Sequence, residues 1–123
     1  SMEAQLLFPS GSAQVDPVGR EALAGLAEVI AEQTDLEIVV EGHTDTDQVR
    51  STSIPRNNWE LSVLRATAVV SILLETPGVD PSMLSASGRS EYHPVDASDK
   101  AKNRRIEVIL APNLDSLYEL ISD

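Results

Sequence analysis

The stretch from Asp16 to Val40 constrains the fold most, because it sets an amphipathic helical pattern directly before a β-branched run. Asp16-Pro17 is an N-cap followed by proline at the first helical position. Leu23, Leu26, Ala27 and Ile30 then recur at helical spacing, with Arg20, Glu21, Glu28 and Glu32 on the other side. The helix is expected to end near Gln33, and 36–40 reads as a buried strand. The alternation continues downstream. Residues 59–75 carry a second helical pattern stopped by Pro77-Gly78, 83–87 a short strand, and 105–110 an alternating strand with Ile106, Val108 and Leu110 on one face. An apolar run at 5–9 reads as an opening strand, and 48–57 and 90–99 as loops. From Pro112, the stripe Leu114, Leu117, Tyr118 and Ile121 predicts a C-terminal helix over 112–123. The order is β-α-β-α-β-β-α. Crossover helices between the first three strands predict an α+β two-layer sandwich: a four-stranded mixed sheet with helices on one face and an extra C-terminal helix.

The 123 residues fit one domain, 1–123, and aromatic residues make up only 3%, so the core must be aliphatic. Ser1 before Met2 reads as a tag remnant, with 1–4 as a leader and a membrane anchor expected upstream. A net charge of −11 repels phosphate backbones and anionic lipid, which argues against nucleic acid and membrane-surface partners. The chain has no cysteine, which excludes disulfides, thiolate metal sites and thiol catalysis.

Within the second helix Leu61, Leu64, Ala68, Val69, Ile72 and Leu73 define one face, and Arg65 falls in the same sector. A guanidinium cannot shed its proton to escape burial, so it requires an anion. Asp45 and Asp47, just beyond the end of the 36–40 strand, are the nearest candidates. Two readings stay open: an internal ion pair, or a clamp in which a carboxylate and a guanidinium hold the ammonium and carboxylate of an amino acid. His43, Asp45 and Asp47 alternate along an extended segment and could converge on zinc or iron, although His43 reads more simply as a histidine hydrogen-bonded in its loop. Ser53 and Ser62 lack a partnering His/Asp constellation, and there is neither a nucleophile elbow nor a phosphate-binding glycine loop. No catalytic residue, metal or cofactor is expected.

Four blocks in order, Glu41-Gly42-His43-Thr44-Asp45, Asn58 through Ala66, Gly88-Arg89-Ser90-Glu91 and Asn103 through Glu107, resemble the OmpA-like C-terminal domain shared by outer-membrane protein A, peptidoglycan-associated lipoprotein and MotB. The Asn-Trp-Glu-Leu-Ser wording is nearer the MotB-like branch, while the glycine-free 46–57 segment is longer than in many members. The resemblance implies a βαβαββ fold and non-catalytic binding of peptidoglycan through its diaminopimelate-containing stem peptide, in the periplasm. It implies that Asp45 engages the ammonium and Arg65 a carboxylate, that Asn58, Thr44 and Leu61 line the same pocket, and that Arg104 flanks it. It also admits a homodimer, attachment to the outer or inner membrane only through an N-terminal anchor, and, as the alternative, an envelope interaction or stator module without wall binding.

Overall fold

The computed structural model describes residues 2–3, 7–8 and 12–112. Its elements in chain order are β1 (Met2–Glu3), α1 (Pro17–Ala31), β2 (Leu36–His43), α2 (Asn58–Leu73), a 3-10 turn (Pro81–Met83), β3 (Leu84–Gly88), α3 (Lys100–Asn103) and β4 (Arg105–Pro112). The sheet order is β1-β4-β2-β3. β2 pairs parallel with β3 and antiparallel with β4, and β4 pairs antiparallel with β1.

The expected α+β architecture with a mixed sheet is present, with corrections to its strands. Among the described residues three strands are substantial, and β1 adds a two-residue pairing of Met2 with Ile106 and Glu3 with Arg105. Of the opening strand expected at 5–9, the described residues Leu7 and Phe8 lie in a turn and a bend, buried against the core, and the rest of that run is outside the described residues. A short apolar run signals burial before it signals extended pairing, and here burial alone satisfies it. β2 and β4 also run past their expected ends. β2 takes in Glu41, Gly42 and His43, and β4 takes in Ala111 and Pro112, so Pro112 closes a strand. The expected helix beyond Pro112 lies outside the described residues.

The helices form as their sequence signals require. The Asp16 carboxylate accepts the Gly19 N–H at 2.8 Å and caps α1; the Asn57 side chain accepts the Glu60 N–H and caps α2. Gly19, Leu23, Ala27 and Ile30 form the buried stripe of α1. With Ile38 and Val40 of β2, Ile106 of β4, and Ala66, Val69, Ile72 and Leu73 of α2, the apolar members of that stripe close an aliphatic core on one face of the sheet.

Alternation along β2 sends Ile38, Val40 and Gly42 to the helix side and Glu41 and His43 to the opposite side. Register places Gly42 beside Gly88, both directly beneath Ser62 of α2. A Cβ on Gly42 would overlap the Ser62 carbonyl oxygen, and one on Gly88 would sit 2.5 Å from Ser62 Oγ. The two glycines therefore let the first half of α2 descend onto the sheet. Ser62 secures that approach: its hydroxyl donates to the Trp59 carbonyl at 2.9 Å and accepts the Ser90 N–H at 3.1 Å. This seat brings Asn58, Leu61 and Arg65 to the end of β2, where Thr44 and Asp45 leave the sheet.

Candidate functional site

The end of β2 is held from both sides. Arg89 N–H donates to the Gly42 carbonyl at 3.0 Å and Thr44 N–H to the Ser90 carbonyl at 2.8 Å, so the loop after β3 continues the pairing. Asp45 then makes a local turn, its Oδ1 accepting the Asp47 N–H at 2.9 Å. Asn58 fastens this turn to α2, donating to the carbonyls of Asp45 at 3.3 Å and Asp47 at 3.1 Å and accepting the Val49 N–H at 3.2 Å. Asn58 is thus a brace for the loop, its amide spent on backbone groups. Thr44 is buried and its hydroxyl turns to the Asp45 carbonyl at 3.0 Å; Leu61 is buried beside them on α2.

Arg65 is only 4% exposed, as its place in the apolar sector requires. Its Nε donates to the Ser12 carbonyl at 3.0 Å and its guanidinium carbon lies 5.1 Å from the centre of the Phe8 ring. Burial lowers its pKa from the ordinary guanidinium value; the Asp45 charge opposes that shift and the Arg104 charge adds to it. An arginine stays protonated under such pressure, so a permanent cation is buried beside Asp45. The Asp45 carboxylate, 7% exposed, meets Arg104 Nη1 through Oδ2 at 2.5 Å. From the residues alone Asp45 and Asp47 are the candidate anions for Arg65, and the family pattern sets Arg104 at the flank of the pocket. The structure has Arg104 holding the carboxylate directly, with Arg65 also attracted to it. Asp47 projects outward to Lys100 Nζ at 2.6 Å. The cleft therefore carries three cations against two carboxylates, a local excess of positive charge in a chain of net charge −11.

Two features were missed in the sequence. α3 lies inside a polar stretch, and its end aims Arg104 at Asp45 across 59 residues of sequence. Buried Asn103 folds the preceding loop around itself, accepting the N–H groups of Val95 at 2.8 Å and Asp96 at 3.1 Å and donating to the Asp96 carbonyl at 2.8 Å. The Asn103-Arg104-Arg105 block signals something, but which of the three is structural cannot be read from residue type.

The expected convergence of His43, Asp45 and Asp47 does not occur. His43 belongs to β2, on the sheet face away from the helices, where Nε2 meets Glu41 Oε1 at 2.8 Å and Glu107 Oε2 at 3.7 Å. Glu41, His43 and Glu107 offer ligand atoms within 4.8 Å of one another, but both carboxylates already carry guanidinium partners, Arg89 on Glu41 at 3.3 Å and Arg105 on Glu107 at 2.7 Å. The cluster is a charge-balanced network that holds the β4 start: Arg105 also donates to the His93 carbonyl at 2.9 Å.

This network predicts a pH dependence. Burial first, and the Arg105 charge second, lower the His43 pKa from its ordinary 6.5, with Glu41 and Glu107 opposing. The unfolded chain then binds this proton more readily than the folded domain, so stability is complete above pH 6.5 and declines as the pH falls below it toward the folded value. Urea midpoints measured between about pH 7.5 and about pH 5.5 should fall, and His43→Gln should flatten the fall. An unchanged slope in that variant contradicts the assignment to His43. Glu107 adds to the loss at lower pH, because its hydrogen bond to Arg105 lowers its pKa from the ordinary 4.5.

Comparison with known proteins places this geometry. Motility protein B of Bacillus subtilis (strain 168) is 32% identical over 111 residues, covering 87% of this chain and 42% of that protein. The chain spans half or less of the length of the curated relatives it matches. The crystal structure of the periplasmic domain of Helicobacter pylori MotB superposes with a TM-score of 0.84 at 25% identity, covering 98% of this chain and 86% of that one. The cell wall anchor of the T6SS from Pseudomonas aeruginosa superposes with a TM-score of 0.71 at 32% identity, covering 86% and 75%. The OmpA family model matches residues 7–107, a span that holds α1, β2, α2, β3, α3 and the cluster of Asp45, Arg65 and Arg104. The chain belongs to the OmpA family.

Proposed function

We propose that this domain is a non-catalytic module that binds peptidoglycan through the diaminopimelate-containing stem peptide and so anchors an envelope protein to the cell wall. It acts in the periplasm, the compartment of its MotB structural relative, and the T6SS relative is by its own description a cell wall anchor. The observation that carries the reading is one buried carboxylate set between two guanidiniums at the mouth of a strand–helix unit. The free end of diaminopimelate bears an ammonium and a carboxylate on one carbon. Asp45 suits the ammonium, and the planar guanidinium of Arg65, which Ser12 and Phe8 help to hold, suits the carboxylate. Asn58 and Thr44 hold the loop that carries Asp45, Leu61 is buried on the same helix as Arg65, and Arg104 pairs with Asp45.

Titration calorimetry with a diaminopimelate-containing muropeptide tests this. Arg65→Lys keeps the charge but loses the fork, and should bind about tenfold more weakly. Parent-like affinity in a folded Arg65→Lys domain contradicts the clamp. A second reading, an envelope interaction or stator module without wall binding, is favoured by one observation: both Asp45 oxygens already have partners, Arg104 and the Asp47 N–H. It predicts that purified sacculi fail to retain the parent domain.

A further inference from the structure

The chain has four aromatic residues besides histidine, and two of them, the only tryptophan and one of two tyrosines, meet on the surface instead of in the core. Trp59 and Tyr92 are 52% and 63% exposed, their ring centres 5.6 Å apart with the planes inclined by 35°. Trp59 also walls an open groove of about 350 Å³ lined by Ile54, Trp59, Glu60, Val63 and Leu64. Exposed apolar surface concentrated in one place marks a binding site more often than chance.

The geometry points to a second subsite: the Trp59–Tyr92 pair and its groove form a stacking platform for an N-acetylated sugar ring of the glycan strand whose stem peptide enters the Asp45–Arg65 cleft. The inference rests on the reading of that cleft as a wall-peptide site. Continuity supports it. Trp59 follows Asn58 on α2, about 100° around the helix, so one turn presents the loop brace on one side and the platform on the other. Tyr92 lies two residues past Ser90, whose carbonyl holds Thr44. The Gln48 amide donates to Glu91 at 2.9 Å, tying the cleft loop to the platform loop. A stem peptide must leave its sugar within a few residues, and three extended residues reach only about 10 Å. The chemistry also fits. A sugar ring offers an apolar C–H face to an aromatic plane and hydroxyl and amide groups at its edge. Glu60, paired with Arg56 at 2.9 Å, supplies polar atoms at the groove's rim. Five lining residues suit a ring-sized ligand, where a stable protein interface uses roughly 20–30 residues a side.

The test compares three probes on the intact domain: a sugar-bearing muropeptide, the same stem peptide without sugar, and peptide-free chitotriose. The parent should bind the sugar-bearing probe more tightly than the bare peptide. Trp59→Ala should lose that advantage, roughly threefold to tenfold, while leaving bare-peptide affinity unchanged; Trp59→Phe should retain most of it. Because Trp59 is the sole tryptophan, its emission should respond to the sugar-bearing probe and to chitotriose and stay unchanged with the bare peptide. Equal binding of both peptide probes by the parent, or full affinity in Trp59→Ala, overturns the platform. Failure of the bare peptide to bind the parent overturns the cleft reading instead. In that case a chitotriose response at Trp59 still supports the platform, and a silent Trp59 overturns it.

Discussion

Gly42→Ala should destabilise this domain by about 3 kcal/mol or more, the upper end of what overpacking costs, lowering its melting temperature by at least about 12 °C. The new methyl group would overlap the Ser62 carbonyl oxygen and lie 3.0 Å from its carbonyl carbon, which are backbone atoms of a helix and cannot turn aside. α2 would have to lift, and its lift would break the Ser90 N–H bond to the Ser62 hydroxyl, which ties the helix to the loop after β3. Because the same seat delivers Asn58 and Arg65 to Asp45, any folded fraction should also bind wall peptide poorly. Gly25→Ala is the internal control. Gly25 is exposed in the middle of α1 and a Cβ there meets nothing within 4 Å, so alanine should stabilise by about 0.4–1 kcal/mol. Thermal melts of the two variants should move in opposite directions. A Gly42→Ala melt within about 4 °C of the parent would show that α2 does not depend on this contact.

Asp45→Asn should weaken muropeptide binding about 100-fold while the domain still folds. The amide keeps the shape and can still accept the Asp47 N–H, so the loop turn survives. What is lost is the charge facing Arg104 and Arg65, and with it the counter-charge for a ligand ammonium. A hydrogen bond to a charged group is worth about 1.5–3 kcal/mol, and a hundredfold change in affinity is about 2.7 kcal/mol. The variant also leaves two guanidiniums facing one another, so a modest loss of stability should accompany the loss of binding. Calorimetry and a thermal melt on the same sample separate the two effects. Binding within threefold of the parent would remove Asp45 from the ligand site and favour the interaction-module reading, in which the Asp45–Arg104 pair is purely internal.

Much of the fold can be read along the chain. The α1 and α2 stripes carry helical periodicity strong enough to identify them, and the β-branched run in β2 marks the central strand. Arg65 was equally legible, because a guanidinium in an apolar sector is an anomaly that residue type alone exposes. Other features carried no such signal. Ser62 is a small polar residue that could face either way, and its burial follows from two glycines, one 20 residues before it and one 26 after. The run at 5–9 is apolar because Leu7 and Phe8 are buried, a fact compatible with a turn as well as with a strand. α3 has four residues, too few for a period to show.

α1, α2, the central strand, the aliphatic core and a buried cation that must find an anion are each a local consequence of residue type and spacing. The tertiary structure decided which partners meet. Asp45 takes Arg104 from 59 residues away, Trp59 takes Tyr92 from the loop after β3, and His43 turns to the opposite sheet face from the cleft. Ion pairs and ring contacts have no period along a chain. They form where strand register and the seat of α2 on Gly42 and Gly88 happen to deliver the loops, and those are properties of the packed sheet and helices together.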